Sequence, residues 1–163
     1  MISRDAAGLA FGLAALIGAA PGIAHAAPRL DAVSPTLACL DRAETSAKAG
    51  YDCIGIIQSA CLADKNSPDD NGVSCAAKEL AFWQVQLDRS WKTAQASLRG
   101  YPEVLPDQTA AQKLFLQYRE KSCAIADKVD PGTMPGGSNA CRMKETAIRV
   151  IALRAIVDSL SEH

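Results

Sequence analysis

The stretch Cys75–Leu98, which reads CAAKELAFWQVQLDRSWKTAQASL, decides the fold of this 163-residue chain. Its apolar residues recur at steps of three and four, namely at Leu80, Trp83, Leu87, Trp91, Ala94 and Leu98. Such spacing places a single apolar stripe along one face of a long amphipathic helix. Gly100 and Pro102 follow at once, and they predict that the helix ends there.

Two further long helices are predicted downstream. Asp107 or Thr109 is a suitable cap for a helix that runs to about Lys128. We expect its inward side to consist of Leu114, Phe115, Tyr118, Ser122 and Ile125. Ser138 or Asn139 begins the last helix, whose expected buried stripe is Met143, Ala147, Val150, Leu153, Ile156, Val157 and Leu160. Pro131–Ser138 is rich in proline and glycine and predicts the intervening turn.

The region before Cys75 predicts two short helices joined as a hairpin. One begins at Pro35 and runs to about Ala43, and the other begins near Thr45 and runs to about Ala63. Asp64–Gly72 is a loop by its composition. Because no segment alternates with period two, we expect an all-α fold, a disulfide-stapled bundle of three long helices with this N-terminal hairpin packed on it.

The first 26 residues predict a secretory signal. Arg4 precedes an uncharged apolar run, and Ala24-His25-Ala26 is a small-x-small cleavage site. The run is too short to span a bilayer, so we expect cleavage after Ala26 and no membrane span afterwards. The predicted divisions are a signal peptide over 1–26, a cysteine-rich helical extension over 27–74 and a three-helix bundle domain over 75–163.

The chain has six cysteines, Cys39, Cys53, Cys61, Cys75, Cys123 and Cys141. An even number after a secretory signal predicts three disulfides in an oxidising compartment, periplasmic or secreted. Cys123 and Cys141 have only each other nearby, so we expect them to pair. For the other four we favour Cys39–Cys53 and Cys61–Cys75, and the crossed set Cys39–Cys61 with Cys53–Cys75 stays open.

Composition argues against several classes of function. The 17 Lys and Arg against 18 Asp and Glu give a formal charge of −1, so no basic face for nucleic acid is expected. His25 lies in the predicted signal, which leaves His163 as the single histidine of the mature chain. Ser/His, Cys/His and multi-histidine metal sites are therefore not expected. We predict no catalytic residue, no metal and no cofactor, and hence not an enzyme.

Several segments together resemble a known family. Cys75–Glu79, followed by Trp83, Leu87 and Trp91, is similar to the opening helix of the lysozyme inhibitor LprI-like N-terminal domain of bacterial envelope proteins. Gln112–Cys123 resembles that family's Gln-Arg-x-Trp-x-x-Phe-Arg-Asp-x-x-Cys segment, with Phe115 and Glu120 as departures that keep size or charge. Gly136, Gly137, Ser138, Cys141, Thr146, Arg149 and Leu153 match its closing pattern. The resemblance covers roughly residues 75–160.

The resemblance implies an exported interaction protein that occludes a lysozyme cleft. Asp69 and Asp70, with Asp64, are candidates for an acidic approach surface that steers the encounter. Met134, Gly136, Gly137 and Ser138 are candidates for a stiff inserted loop. The alternative is a non-catalytic accessory envelope domain that binds another protein or a small ligand and has no lysozyme target.

Three charged residues of the matching helices suggest a structural role. We expect Glu79 to form a partly buried inter-helix ion pair with Arg119 or Arg149. The functional alternative is that the two arginines bind an anionic ligand.

Overall fold

The computed structural model describes residues 30–43, 47–68, 70–129 and 135–161. The helices are α1 (Leu30–Arg42), α2 (Ala47–Tyr51), α3 (Ile56–Leu62), α4 (Val73–Ser97), α5 (Leu105–Val129) and α6 (Gly137–Ser161), with a short 3-10 turn at Leu98–Gly100. No β-strand occurs in these ranges, and the predicted all-α, disulfide-stapled bundle is confirmed. The predicted signal, Asp69 and Met134 lie outside the described residues.

The core forms between α4 and α6, the pair of helices with the most extensive contact. Trp83 has no exposed surface, and Leu87, Ala94 and Leu98 continue the predicted α4 stripe as buried residues. The α6 stripe is buried at Met143, Ala147, Val150 and Leu153, while Ile156, Val157 and Leu160 are half-buried. Phe82 meets Trp83 edge to face, with ring centroids 5.2 Å apart. These two stripes therefore supply most of the apolar core.

The prediction for the inward side of α5 is wrong for three residues. Leu114, Tyr118 and Ile125 are exposed, because α5 packs chiefly on α6 and makes no extensive contact with α4. The side that meets α6 carries Gln112 and Cys123, both buried, and the half-buried Phe115. The apolar stripe of α5 thus faces away from the core.

The second predicted short helix is divided in two. Residues 52–55 form turns between α2 and α3, and Gly55 takes the left-handed conformation there with φ of 96°. Gly50 does not break the helix but brings α2 against α6, since a Cβ at this position would lie 3.0 Å from Ile151 Cγ2. A glycine at residue 50 therefore serves helix packing.

Three disulfides fasten neighbouring elements. Cys39–Cys53 ties α1 to the turn after α2, Cys61–Cys75 ties α3 to α4, and Cys123–Cys141 ties α5 to α6. This is the pairing favoured from the sequence, and the crossed alternative is absent. The Cys61–Cys75 bridge joins the predicted extension over 27–74 to the predicted bundle domain over 75–163. This division of the chain stays a prediction.

None of the helices in the described ranges is long and apolar enough to cross a membrane.

Candidate functional site at the loop end of the bundle

The two loops that the sequence singled out separately meet at one end of the bundle. The backbone N–H of Gly136 donates to the carbonyl of Asn71, with the two atoms 2.7 Å apart. Close by, Asn139 Nδ2 donates to the carbonyl of Val73 at 3.4 Å. We call this surface, formed by residues 63–68, 70–72 and 135–138, the loop end. It contains a shallow open cleft lined by Leu62, Asp64, Ser67, Pro68, Asn71, Gly72 and Pro135.

Glycine is required where the loops touch. Gly136 has φ of 81°, and a Cβ on it would lie 2.8 Å from Ala140 Cβ and 3.0 Å from Ala76 Cβ. Such approaches are too close for any side chain, and the positive φ adds backbone strain for other residues. Gly72, which faces the Gly136 amide, also has a positive φ, 78°. Residue 136 can therefore lie this close to Ala76 only because it lacks a side chain, whereas at residue 72 the positive φ is what favours glycine.

Disulfides fix the flanks of the loop end. Cys61–Cys75 closes the α3–α4 loop, and Cys123–Cys141 closes the α5–α6 connection. Ser67 Oγ lies 3.1 Å from Cys75 Sγ, so the α3–α4 loop folds back onto its own disulfide. The arrangement holds the shape of the loop end before any partner arrives.

The acidic residues of the α3–α4 loop make local hydrogen bonds. Asp64 Oδ1 accepts from the backbone N–H of Asn66 at 2.9 Å. Asp70 Oδ2 accepts from the backbone N–H of Ser74 at 3.0 Å and from the Ser74 hydroxyl. The hydroxyl hydrogen bond, more than any other contact, lowers the pKa of Asp70 below its ordinary value. Asp70 thus stabilises the first turn of α4 in addition to placing a negative charge near the loop end.

Ser138 is held by charged neighbours. Its backbone N–H donates to Asp127 Oδ1 at 3.2 Å, and its hydroxyl accepts from Arg142 Nη1 at 2.8 Å. Gly137, which begins α6, also has a positive φ, 53°. Of the residues predicted for the inserted loop, Gly136 lies in the turn before α6, Gly137 and Ser138 belong to the first turn of α6, and Met134 lies outside the described residues.

The predicted ion pair of Glu79 with Arg119 or Arg149 is not formed. Glu79 is fully buried on the side of α4 that α3 covers. Its Oε1 accepts from Gly55 N–H at 2.6 Å and from Trp83 Nε1 at 2.8 Å, and its Oε2 accepts from Gln58 N–H at 2.7 Å. A carboxylate at a helix N-terminus satisfies backbone donors that would otherwise lack partners. Glu79 thus joins α3 to α4, a role that the sequence interpretation missed.

The arginines bond at the contact of α5 with α6 instead. Arg119 Nη1 donates to Thr146 Oγ1 at 3.0 Å, and Arg149 Nε donates to Gln112 Oε1 at 2.8 Å. Both guanidinium groups lie over the Phe115 ring, 6.0 Å and 5.6 Å from its centroid. Burial lowers the pKa of Arg149. Stacking on an aromatic ring is a favourable arrangement for a guanidinium group that is partly removed from water.

Glu120 connects two of the arginines. It accepts from Arg119 Nη2 at 2.8 Å and from Arg142 Nε at 2.9 Å. Partial burial would raise the pKa of Glu120, but the hydrogen bonds from Arg142 and Arg119 outweigh it, and the pKa lies below its ordinary value. Because Arg142 also holds Ser138, this network joins α5 to the loop end.

No cluster of metal-binding side chains occurs within the described parts of the chain. Two concavities of the described residues, one between α4 and α6 and one at the loop end, are open clefts.

Comparison with known proteins agrees with these features. The family model described as lysozyme inhibitor LprI matches residues 61–153, which is more than half of the chain. No curated protein and no solved structure matches the chain. The match begins at Cys61, so it takes in both disulfides of the loop end together with α4, α5 and α6 as far as Leu153. This chain belongs to the lysozyme inhibitor LprI family.

Proposed function

We propose that this protein is an exported, non-catalytic inhibitor that binds a lysozyme through its loop end. Family membership supports the class of target. The observation that carries the choice of surface is the hydrogen bond from Gly136 to Asn71, which makes one continuous surface from two loops. An inhibitor gains affinity when the inserted element keeps its shape unbound, because little conformational entropy is then lost on binding.

Charge at the loop end supports the same proposal. Asp64 and Asp70 carry negative charge beside the cleft, and Asp69 adds to it in the sequence. Lysozymes are usually cationic proteins whose catalytic carboxylates lie within a groove. An acidic rim would steer the approach through long-range attraction, whereas an inserted tip must itself avoid negative charge. In this proposal the uncharged tip is the exposed Pro135, which Met134 precedes in the sequence, and the buried Gly136 fixes its base.

Export is part of the proposal. Three disulfides and the family support an extracytoplasmic protein. The signal over 1–26, its cleavage after Ala26 and a periplasmic location extend that statement and remain proposals.

Titration against a panel of lysozymes tests the function. The purified protein is added at increasing ratio to c-type and g-type lysozymes, and the lysis of cell walls is followed. We expect lysis by at least one type to fall to near zero at about one equivalent. If no lysozyme is slowed at any ratio, the inhibitor proposal is wrong and the accessory envelope domain replaces it.

A pair of variants tests the surface. Leu62 lines the cleft and is 53% exposed, and Val85 is 48% exposed on α4. Leu62→Glu should raise the inhibition constant by at least tenfold, because it brings a negative charge to the target's carboxylates. Val85→Glu is the matched control and should inhibit like the parent. Equal inhibition by both variants, with unchanged melting temperatures, would place the binding surface elsewhere.

A further inference from the structure

The side of α5 that faces away from α6 carries a row of exposed apolar residues. We call Leu114, Tyr118, Ile125 and Val129 the α5 stripe. Their exposed fractions are 64%, 57%, 55% and 76%. At steps of four, seven and four residues they fall on one face of the helix. Nothing in the described parts of the chain covers this face.

The proposed function does not use the α5 stripe. The stripe runs from Leu114 to Val129, about 22 Å along the side of α5 that faces away from α6, whereas the cleft of the loop end is lined by residues of the α3–α4 loop and by Pro135. Single exposed apolar residues are ordinary on a protein surface, but an aligned row on one helix is typical of an interaction surface. We therefore expect a binding partner on this face that is separate from the target of the loop end.

We propose that the α5 stripe binds the α5 stripe of a second copy of this chain, with the two helices antiparallel about a two-fold axis. This inference goes beyond the proposed function and does not depend on it. The charges along α5 favour antiparallel over parallel pairing. On the face of the stripe, Asp107 is exposed near the N-terminal end of α5, and Lys121 and Lys128 are exposed towards its C-terminal end. The exposed Lys113 and Asp127 fall on other faces of the helix. Antiparallel pairing brings the acidic end of one helix to the basic end of the other.

The residues also match in one antiparallel register. When Leu114 is placed opposite Ile125 of the second copy, Val129 falls opposite Ala110 of that copy. Tyr118 then falls opposite Lys121 of the second copy, where an ammonium group can lie on the phenol ring. Each exposed apolar residue of the stripe thus meets an apolar or cationic partner.

The interface would be small. A standard stable interface buries about 800 Å² on each partner. The four exposed side chains supply several hundred Å², on the order of the largest apolar patch of an ordinary monomer. We therefore expect a dimer that dissociates in the micromolar range rather than an obligate one. Its two loop ends lie at opposite ends and both stay accessible.

Sedimentation and light scattering over a concentration series test the dimer. The exported protein should pass from monomer to dimer as its concentration rises through the micromolar range. Leu114→Glu with Ile125→Glu should raise the dimer dissociation constant at least tenfold. Val85→Glu, an equally exposed change on α4, should leave it unchanged. Circular dichroism checks that each variant keeps its helix content, and loss of the dimer with unchanged helix content supports the proposal.

Charge reversal tests the antiparallel arrangement. Asp107→Lys should weaken the dimer, and adding Lys128→Asp to it should restore the parent dissociation constant. A photoreactive phenylalanine analogue at residue 118 should cross-link to α5 of another copy. If the protein is a monomer at every concentration, the proposal is wrong, even if the protein binds another partner such as a lipid vesicle or a lysozyme. A dimer that is insensitive to the Leu114 and Ile125 changes would overturn it equally.

Discussion

The Glu79 carboxylate and the Trp83 indole lie one helical turn apart on α4, hydrogen-bonded at 2.8 Å and both without exposed surface. The same carboxylate receives two backbone N–H groups from the start of α3. A single buried side chain thus holds the largest core residue and a neighbouring helix in register. Removing it would leave one buried donor and two partly buried donors without this acceptor.

Glu79→Ala is predicted to be among the most destabilising single substitutions in the chain. A buried donor left unpaired costs about 1–3 kcal/mol and a partly buried one less, so we expect the free energy of unfolding to fall by about 2 kcal/mol or more. Urea unfolding followed by circular dichroism measures the change. Glu103→Ala, on an exposed turn residue, is the control and should stay within ~0.5 kcal/mol of the parent. Equal stabilities of the two variants would contradict the prediction.

Gly136→Ala should damage the loop end while Gly100→Ala should not. At residue 136 an added Cβ meets two methyl groups and a positive φ, whereas at residue 100 it meets no atom within 4 Å. We expect Gly136→Ala to cost about 1–3 kcal/mol and to weaken inhibition. Gly100→Ala should be neutral or stabilising by up to about 1 kcal/mol. Thermal unfolding and the lysozyme assay give both readings, and a harmless Gly136→Ala would disprove the close approach.

Removing the Cys61–Cys75 bridge should reduce inhibition more than removing Cys39–Cys53. Both bridges span a sequence separation of 14, so the loss of chain-entropy stabilisation is similar, about 2–4 kcal/mol by either double serine variant. Of these two bridges, only Cys61–Cys75 closes a loop that belongs to the loop end. The inhibition constants of the two variants are compared at a temperature where both are folded. Equal losses of inhibition would argue against a binding role for the α3–α4 loop.

Glu120 should contribute a small stability that disappears in acid. Its pKa is lower in the folded protein than the ordinary value of 4.5, so folding favours the ionised form. The contribution is present above pH 4.5 and is lost as the pH falls through the folded pKa. Because the side chain is 52% exposed, it should amount to less than about 1 kcal/mol. Glu120→Gln should flatten the acid limb of the stability curve, and Glu103→Gln, its control, should not.

The exported protein is predicted to begin near Ala27 and to contain no free thiol. Mass spectrometry of the periplasmic protein should give the mass of residues 27–163 with three disulfides. Thiol labelling under denaturing, non-reducing conditions should modify none of the six cysteines. An intact Met1 or a lipid on Cys39 would refute the signal, and two or more labelled cysteines would refute the disulfide set.

The elements with strong periodicity could be predicted from the sequence. Most inward positions of α4 and α6 carry apolar residues, so the burial of these residues could be predicted from their spacing. The Cys123–Cys141 bridge could be predicted because neither cysteine has another one nearby, whereas spacing favoured the two N-terminal bridges without excluding the crossed set. Helix α5 was misread because its inward residues include the polar Gln112, while Leu114 and Tyr118 are exposed. Cys123 was the available signal, since its partner Cys141 on α6 identifies the side of α5 that faces inward.

The parts of the site that could not be predicted depend on contacts between distant segments. No local pattern indicates that Asn71 accepts a hydrogen bond from Gly136, and the two loops were interpreted as separate surfaces. Glu79 looked like a partner for arginine, because opposite charges are the usual reason for a buried glutamate. The Glu79 and Trp83 spacing of four residues was a usable hint, because an indole N–H one turn away is within reach of a carboxylate.

The dominance of the α4–α6 contact has a consequence for the order of events during secretion. A chain that crosses the membrane from its N-terminus delivers α1 to α4 first, and the bridges Cys39–Cys53 and Cys61–Cys75 can close among them. The face of Trp83 and Leu87 that α6 covers nevertheless stays open to water until about 60 further residues have emerged. The carbonyl of Asn71 likewise cannot accept its hydrogen bond from Gly136 until that residue has emerged. If the chain is exported as proposed, its incomplete form thus exposes apolar surface and lacks the loop end, and we expect chaperones that hold apolar segments to raise its yield.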